Sequence, residues 1–345
     1  MKSVGSSKGR AYRCGVIGYG GAFNMGQAHL SMMSLNPRME VAAVCELDPA
    51  RLEVASQDWP QAALYSRVGD MLRHADLDLV AVITPHNTHA KLVTQCLDAR
   101  VNTVTEKPMA ITSAQCKAML SMARRRRVML STFHNRRWDP DFLLLKDLVC
   151  KEKLVGRVFR IECGFYRYGM QRDWWRSDRK VSGGNMYDWG AHFVDWVLQL
   201  VSDDIDWVSG FQAKNKQWKG YTNDDHSEVT VKFKKAGEAT VTISGMSMAP
   251  RPEWRILGEQ GSIESWDRKT YVVNSLVNGR QMSAELSSNA PNEGAQTYYR
   301  NVCRHIQGRA RLSVTPESSS RVIGVLEAAT KSAMKGSQPV RPAFR

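Results

Sequence analysis

Three groups of residues in this chain have the types and spacing to do chemistry. The first is Gly18-Tyr19-Gly20-Gly21-Ala22-Phe23-Asn24-Met25-Gly26, set between a strand-like run, Tyr12 to Ile17, and a helical stretch from about Gln27 to Leu35. A glycine turn joining strand to helix is the context of a dinucleotide site. Its first glycine permits the tight turn, and its second lets backbone approach a pyrophosphate lying on the helix N-terminus. The spacing departs from G-x-G-x-x-G, because the next helix glycine comes late. The second group lies on two strand ends. Leu79-Val80-Ala81-Val82-Ile83 runs into Thr84-Pro85-His86-Asn87, and Val101 to Thr105 runs into Glu106-Lys107-Pro108. The third is Asp188-Trp189-Gly190-Ala191-His192, just after Gly183-Gly184. Asp188 and His192 are spaced i, i+4 and share a face if helical, so carboxylate and imidazole can orient and tune each other. On spacing alone, an ordinary helical Asp–His pair is the simpler reading.

The elements that must carry these groups fall into two patterns. At 345 residues, two domains are expected. Residues 1–10 read as a flexible, polar, basic leader. From 11 to 134, apolar β-branched runs alternate with helical segments, which predicts a right-handed, doubly wound parallel sheet of the Rossmann type. In such a sheet, ligands bind beyond the carboxyl ends of the strands. The second strand, Met39 to Cys45, ends at Glu46, whose carboxylate can bond an adenosine ribose diol and would repel a 2′-phosphate. That favours NAD, with NADP as the alternative because Arg51 is close by. Asp48 reads as the cap of the next helix.

From 135 to 345 the period changes. Pro140 to Cys150 reads as a helix. After Val158, apolar Phe159, Ile161, Cys163 and Phe165 point one way while Arg160 and Glu162 point the other. The same alternation returns around Val229, Val241, Trp254 and Ile263. The expectation is an α+β domain with a large, mostly antiparallel open sheet and helices on one side. Thr315-Pro316 opens a late helix that Gly336 stops.

Composition narrows the class. The seven cysteines are scattered and form no C-x-x-C pair, so buried free thiols in a reducing cytoplasm are expected, and no metal site. No apolar run approaches the roughly 18 residues of a membrane span. The net charge of +14 raises the question of nucleic acid. Yet the densest basic run, Arg124 to Arg127, reads as a solvated helix C-terminus, where cations suit the dipole, and no nucleic-acid-binding signature accompanies it. The charge suits an anionic cofactor or substrate.

Thr84-Pro85-His86-Asn87 with His89, then Glu106-Lys107-Pro108, then Asp-x-Gly-x-His at 188–192, resemble the Gfo/Idh/MocA family of nicotinamide-dependent sugar and polyol oxidoreductases. The resemblance implies a cofactor cradle of Gly18, Gly20, Gly21, Ala22, Phe23, Glu46, Thr84, Pro85, His86, Asn87, His89, Glu106 and Lys107. It implies Lys107, Asp188 and His192 as the catalytic group, with Lys107 near the nicotinamide ring, a carbohydrate or polyol substrate, and a homodimer or homotetramer. Alcohol oxidation by a nicotinamide removes a hydride from carbon and a proton from oxygen. His192 is the candidate base, with Asp188 its neighbour, and the Lys107 ammonium can stabilise alkoxide charge. Asn135, Arg136, Tyr168, Trp174, Trp175 and Arg176, with Asp173 in the same stretch, are substrate candidates. Indole faces stack on sugar C–H faces and guanidinium binds hydroxyls or an anion; tryptophans packing a sheet–helix seam are the rival reading. Two alternatives to a dehydrogenase remain: a redox-neutral NAD-dependent glycosidase of the same fold, and a non-catalytic NAD or sugar sensor.

Overall fold

The computed structural model describes residues 10–169, 174–216 and 219–345. The leader, apart from Arg10, and Asp173 lie outside the described residues. The chain clusters into two compact units, one of residues 1–110, 114–135 and 295–319, the other of residues 111–113, 136–294 and 320–345. The stretch 295–319 therefore groups with the N-terminal segments rather than with the rest of 135–345.

The first unit is built on six parallel strands: β1 (Tyr12–Ile17), β2 (Met39–Cys45), β3 (Ala63–Tyr65), β4 (Leu79–Val82), β5 (Asn102–Thr105) and β6 (Leu130–Thr132). Their order is β3-β2-β1-β4-β5-β6. Strands β1 and β2 match the predicted runs residue for residue. β4 is buried along its whole length, as a strand covered on both faces must be. The helices are α1 (Met25–Ser34), α2 (Pro49–Asp58), α3 (Val68–His74), α4 (His89–Asp98) and α5 (Ser113–Arg126). Asp48 caps α2 by accepting from the Ala50 N–H at 2.9 Å, and Pro49 takes the first helical position, where its missing N–H costs nothing. The basic run closes α5. There Arg124 pairs with Glu317 and Arg126 with Asp98, both exposed.

The second unit contains α6 (Pro140–Lys146), which runs into a π-helical turn at Asp147–Lys151, then β7 (Val158–Tyr166), α7 (Arg179–Ser182), α8 (Trp189–Leu200), β8 (Ile205–Ala213), β9 (His226–Phe233), β10 (Glu238–Ser244), β11 (Trp254–Gly258), β12 (Gly261–Ser265), β13 (Thr270–Val277) and β14 (Arg280–Ser287). The eight strands are ordered β14-β13-β12-β11-β7-β10-β9-β8. Among the described residues, only β7 and β10 of this sheet pair in parallel; the other neighbours are antiparallel. The alternation in β9 is clean: Ser227, Val229, Val231 and Phe233 are buried and the residues between are half-buried.

The alternation of β7 holds, but its buried part is shorter than the alternating run. Ile161 and Cys163 are buried, but Phe159 is 46% exposed. Parity puts 159 on the same face, but it sits at the start of the strand, ahead of the buried stretch. Further along that face, Phe165 stacks on Trp189 of α8, ring centroids 5.6 Å apart. Two helices complete the fold, α9 (Gly294–Ile306) and α10 (Pro316–Ala333). Of the seven cysteines, all free, only Cys150 is exposed. Among the described residues, no helix is long and apolar enough to cross a membrane.

Candidate active site

In the first unit the predicted residues gather at the carboxyl edge of the parallel sheet. Gly18 follows β1 with φ +102°, and a Cβ there would stand 2.0 Å from the Ile83 carbonyl oxygen. Only glycine allows this turn. Gly20, Gly21, Ala22 and Phe23 are exposed, and a Cβ on Gly20 would meet nothing within 4 Å. Asn24 precedes α1 in the left-handed region, makes no side-chain cap, and is followed by no acidic residue in the first turn. An uncapped helix start behind an open glycine loop suits a pyrophosphate.

Glu46 closes over this loop. Its carboxylate accepts from the N–H groups of Tyr19 at 2.6 Å, Leu47 at 2.6 Å and Asp48 at 3.1 Å. A carboxylate has about four lone-pair positions, so one stays open for a ribose hydroxyl. Arg51 lies across the same loop, donating to the Tyr19 carbonyl at 2.9 Å and to Asn24 Oδ1 at 3.0 Å. These residues fit the adenosine half of a nicotinamide dinucleotide.

The two strand ends after β4 and β5 are brought together by His89. It is fully buried, with Nδ1 2.8 Å from the Pro108 carbonyl oxygen and Nε2 2.8 Å from that of Thr84. Burial pushes its pKa below the ordinary histidine value, against the two carbonyls, which favour the charged ring. His89 thus ties loop to loop. The Thr84 hydroxyl meets that of Thr88 at 2.6 Å. Pro85 is half-buried, His86 buried and Asn87 exposed. The Lys107–Pro108 peptide is cis. Lys107 is half-buried, and its N–H donates to the Glu106 carboxylate at 2.9 Å. Burial alone would raise the Glu106 carboxyl, but the donor on His29 and the charges of His29 and Lys107 hold it below the usual range.

In the second unit, Asp188 immediately precedes α8 and His192 lies in its first turn. His192 is 6% exposed, with its ring 5.7 Å from that of Trp189 and 6.1 Å from that of Trp196. Asp188 Oδ1 is 3.7 Å from Arg176 Nε. The Arg176 guanidinium in turn lies over Trp174 at 4.5 Å and Trp175 at 4.8 Å. Arg136 lies over Trp189 at 4.8 Å and pairs with Asp139 at 2.9 Å. Asn135, its chain neighbour, is half-buried. So the tryptophans serve as platforms for arginine. Tyr168 is 48% exposed and bridges through its backbone to Met246.

Sequence reasoning missed several contributors here. Arg268, in the turn after β12, lies 5.1 Å from the Trp189 ring and pairs with Glu253 at 2.6 Å. The Asn223 amide donates to the Arg176 carbonyl at 2.6 Å, and Asp224 pairs with Arg179 at 2.6 Å, so this loop anchors the segment bearing Arg176. In sequence these positions are turn residues like any others. In the first unit, His29 and Tyr299 were also missed; a single histidine and a tyrosine on helices give no signal until the fold pairs them.

The model of the oxidoreductase family with an NAD-binding Rossmann fold matches residues 12–134, and that of the GFO/IDH/MocA C-terminal domain matches residues 142–264. The chain belongs to the Gfo/Idh/MocA family. As a member it is an oxidoreductase, and its first unit carries an NAD-binding Rossmann domain. It is similar to scyllo-inositol 2-dehydrogenase (NADP(+)) IolW of Bacillus subtilis, 25% identical over 354 residues, which cover 95% of each protein. Among solved structures it resembles an NAD-binding protein from Listeria innocua, 26% identical with a TM-score of 0.83, over 96% of this chain and 97% of that one. It shares its fold with the WlbA dehydrogenase from Bordetella pertussis, in complex with NADH and UDP-GlcNAcA, at 20% identity and a TM-score of 0.81, over 97% of this chain and 100% of the other.

Proposed function

We propose that this family member is an NAD(P)-dependent dehydrogenase acting on a CH–OH group of a sugar, inositol or sugar derivative. The observation that carries the reading is the start of α8. A histidine and an aspartate stand there together, among guanidinium groups held over indole faces. That combination offers a proton acceptor, a hydroxyl ligand, and surfaces for sugar C–H groups or an anionic substituent. The names of related dehydrogenases, one for an inositol and one in complex with a sugar nucleotide, support the substrate class.

The cofactor, when bound, supplies the two-electron acceptor or donor. In the first unit, Gly18, Gly20 and the start of α1 would receive its pyrophosphate, and Glu46 would take a ribose hydroxyl. Thr84, Pro85, Asn87 and Glu106-Lys107 would hold its nicotinamide half. In the second unit, Arg136 and Arg176 orient the substrate with Trp174 and Trp175. Asp188 accepts a hydrogen bond from a substrate hydroxyl. His192 takes the proton from the reacting hydroxyl, and the Lys107 ammonium stabilises the alkoxide as it forms.

Reduced-nicotinamide absorbance tests this directly, with NAD and NADP against a panel of sugars, inositols and sugar acids. Turnover on one class is expected. Lys107→Ala and His192→Ala should each cut kcat about 10²- to 10⁴-fold, the usual contribution of such groups. Silence across the panel, with cofactor bound and aryl glycosides cleaved without net change in cofactor, would replace the dehydrogenase with a redox-neutral glycosidase. Binding of cofactor and sugar with no chemistry at all would make the protein a sensor.

A further inference from the structure

Behind Glu106 and Lys107, a buried polar chain in the first unit reaches two residues given no role above, His29 and Tyr299. His29 lies inside α1 with no exposed surface, its ring against Phe133 at a centroid distance of 4.2 Å. Its Nδ1 faces the hydroxyl of Tyr299 on α9. Its Nε2 is 3.0 Å from Glu106 Oε1. The other Glu106 oxygen accepts the Lys107 N–H at 2.9 Å. Three segments far apart in sequence thus end on the backbone of one lysine.

Burial raises the Tyr299 phenol well above its ordinary value, so it stays protonated and can donate. That hydroxyl faces His29 Nδ1, and the other ring nitrogen, Nε2, faces Glu106. The carboxylate, held ionised, accepts from the imidazole on one oxygen and from the Lys107 amide on the other. Turning the ring or the carboxyl would break two contacts at once.

We infer that His29 and Tyr299 are positioning residues for Lys107: the Tyr299–His29–Glu106 chain holds the carboxylate in the orientation that anchors the Lys107 amide, and so fixes the point from which the ammonium reaches the substrate. The catalytic consequence rests on the proposed dehydrogenase reading; the anchoring itself does not.

The neighbouring tyrosine supplies the control. Tyr298 is as buried as Tyr299, but its hydroxyl donates to Ser131 Oγ at 2.8 Å, which donates to the Val314 carbonyl at 2.8 Å. Tyr298→Phe and Tyr299→Phe each delete one buried hydroxyl from adjacent positions of one helix. Amide exchange of Lys107 in full-length protein labelled with ¹⁵N-lysine reads the anchor without any substrate. Tyr299→Phe should speed that exchange about tenfold, as expected when a hydrogen-bonded segment opens more often, while Tyr298→Phe leaves it unchanged. On the best substrate of the panel, Tyr299→Phe should lower kcat about 10- to 100-fold, the cost of misplacing a catalytic group, with KM for the cofactor unchanged. His29→Gln, whose amide nitrogen reaches the place of Nε2, should retain more of both properties than His29→Asn. Equal exchange in the two tyrosine variants, or Lys107 exchange unmoved in Tyr299→Phe, would overturn the inference and leave a simple core contact. Faster exchange with unaltered kcat would uphold the anchor and count against Lys107 as a group of the reaction.

Discussion

The two units hold their polar residues by different means. In the first, side chains are pinned to backbone: His89 spans two carbonyls, Glu46 collects three N–H groups, and Glu106 holds the Lys107 amide. In the second, arginines rest on indole rings and pair with carboxylates: Arg176 with Asp188, Arg136 with Asp139, Arg268 with Glu253. Backbone hydrogen bonds are directional, and a buried group left unmade costs about 1–3 kcal/mol. Guanidinium over an aromatic ring is worth about 0.5–2 kcal/mol and tolerates sliding. The first arrangement suits a ligand of fixed shape, such as a dinucleotide. The second suits a substrate pocket that must adjust to the hydroxyl pattern of a ring.

Substitutions can break this contrast at its stiff end first. Gly18→Ala forces a Cβ to within 2.0 Å of the Ile83 carbonyl oxygen at φ +102°, so it should cost about 3 kcal/mol and lower Tm in a thermal scan. Gly20→Ala meets nothing within 4 Å; it should leave Tm alone and weaken cofactor binding, because only the approach of a pyrophosphate is blocked. If both variants lost stability equally, the loop would be a structural turn rather than a cradle.

Softer effects are expected in the second unit. Arg176→Met keeps the stem but removes the charge over Trp174 and Trp175 and beside Asp188. KM for the substrate should rise about five- to tenfold, consistent with a loss of about 1 kcal/mol, while KM for the cofactor holds. Returning to the first unit, Arg51→Ser removes a cation from the glycine loop and should shift the NADP-to-NAD preference only about threefold towards NAD, as a partly exposed charge contact would; steady-state kinetics with each cofactor measures the ratio.

The smallest effect is one of pH. His89 has a folded pKa below its ordinary 6.5. Between the two values the unfolded chain binds more protons than the folded one, so the stability this residue contributes is present above 6.5 and lost as pH falls through the folded value. Urea midpoints should fall as the solution is acidified below 6.5, and His89→Gln should flatten that slope while lowering stability at neutral pH.

Legibility followed cover. β1, β2 and β4 are apolar runs buried on both faces, and their bounds could be read almost to the residue. β3 has three residues, none of them buried, and left no pattern. β13 and β14 form an edge hairpin whose last strand has no buried residue, so nothing in Arg280 to Ser287 marks an inner face. The glycine loop, the two strand ends and the Asp188–His192 pair were legible because their chemistry is carried by residue type at short spacing. His29 with Tyr299, and Arg268 with Trp189, were not, because each pair is made by folding across long sequence separations.

The grouping of 295–319 with the N-terminal segments has a consequence for synthesis. As the chain leaves the ribosome, the strands of the nucleotide-binding sheet are complete by Thr132. Their partners on α9, Tyr298 against Ser131 and Tyr299 against His29, are still untranslated. At about 5–20 residues per second, the nascent sheet waits many seconds with that seam open, an exposure that invites chaperones. A fragment ending near residue 134 would keep the glycine loop and stay in that waiting state.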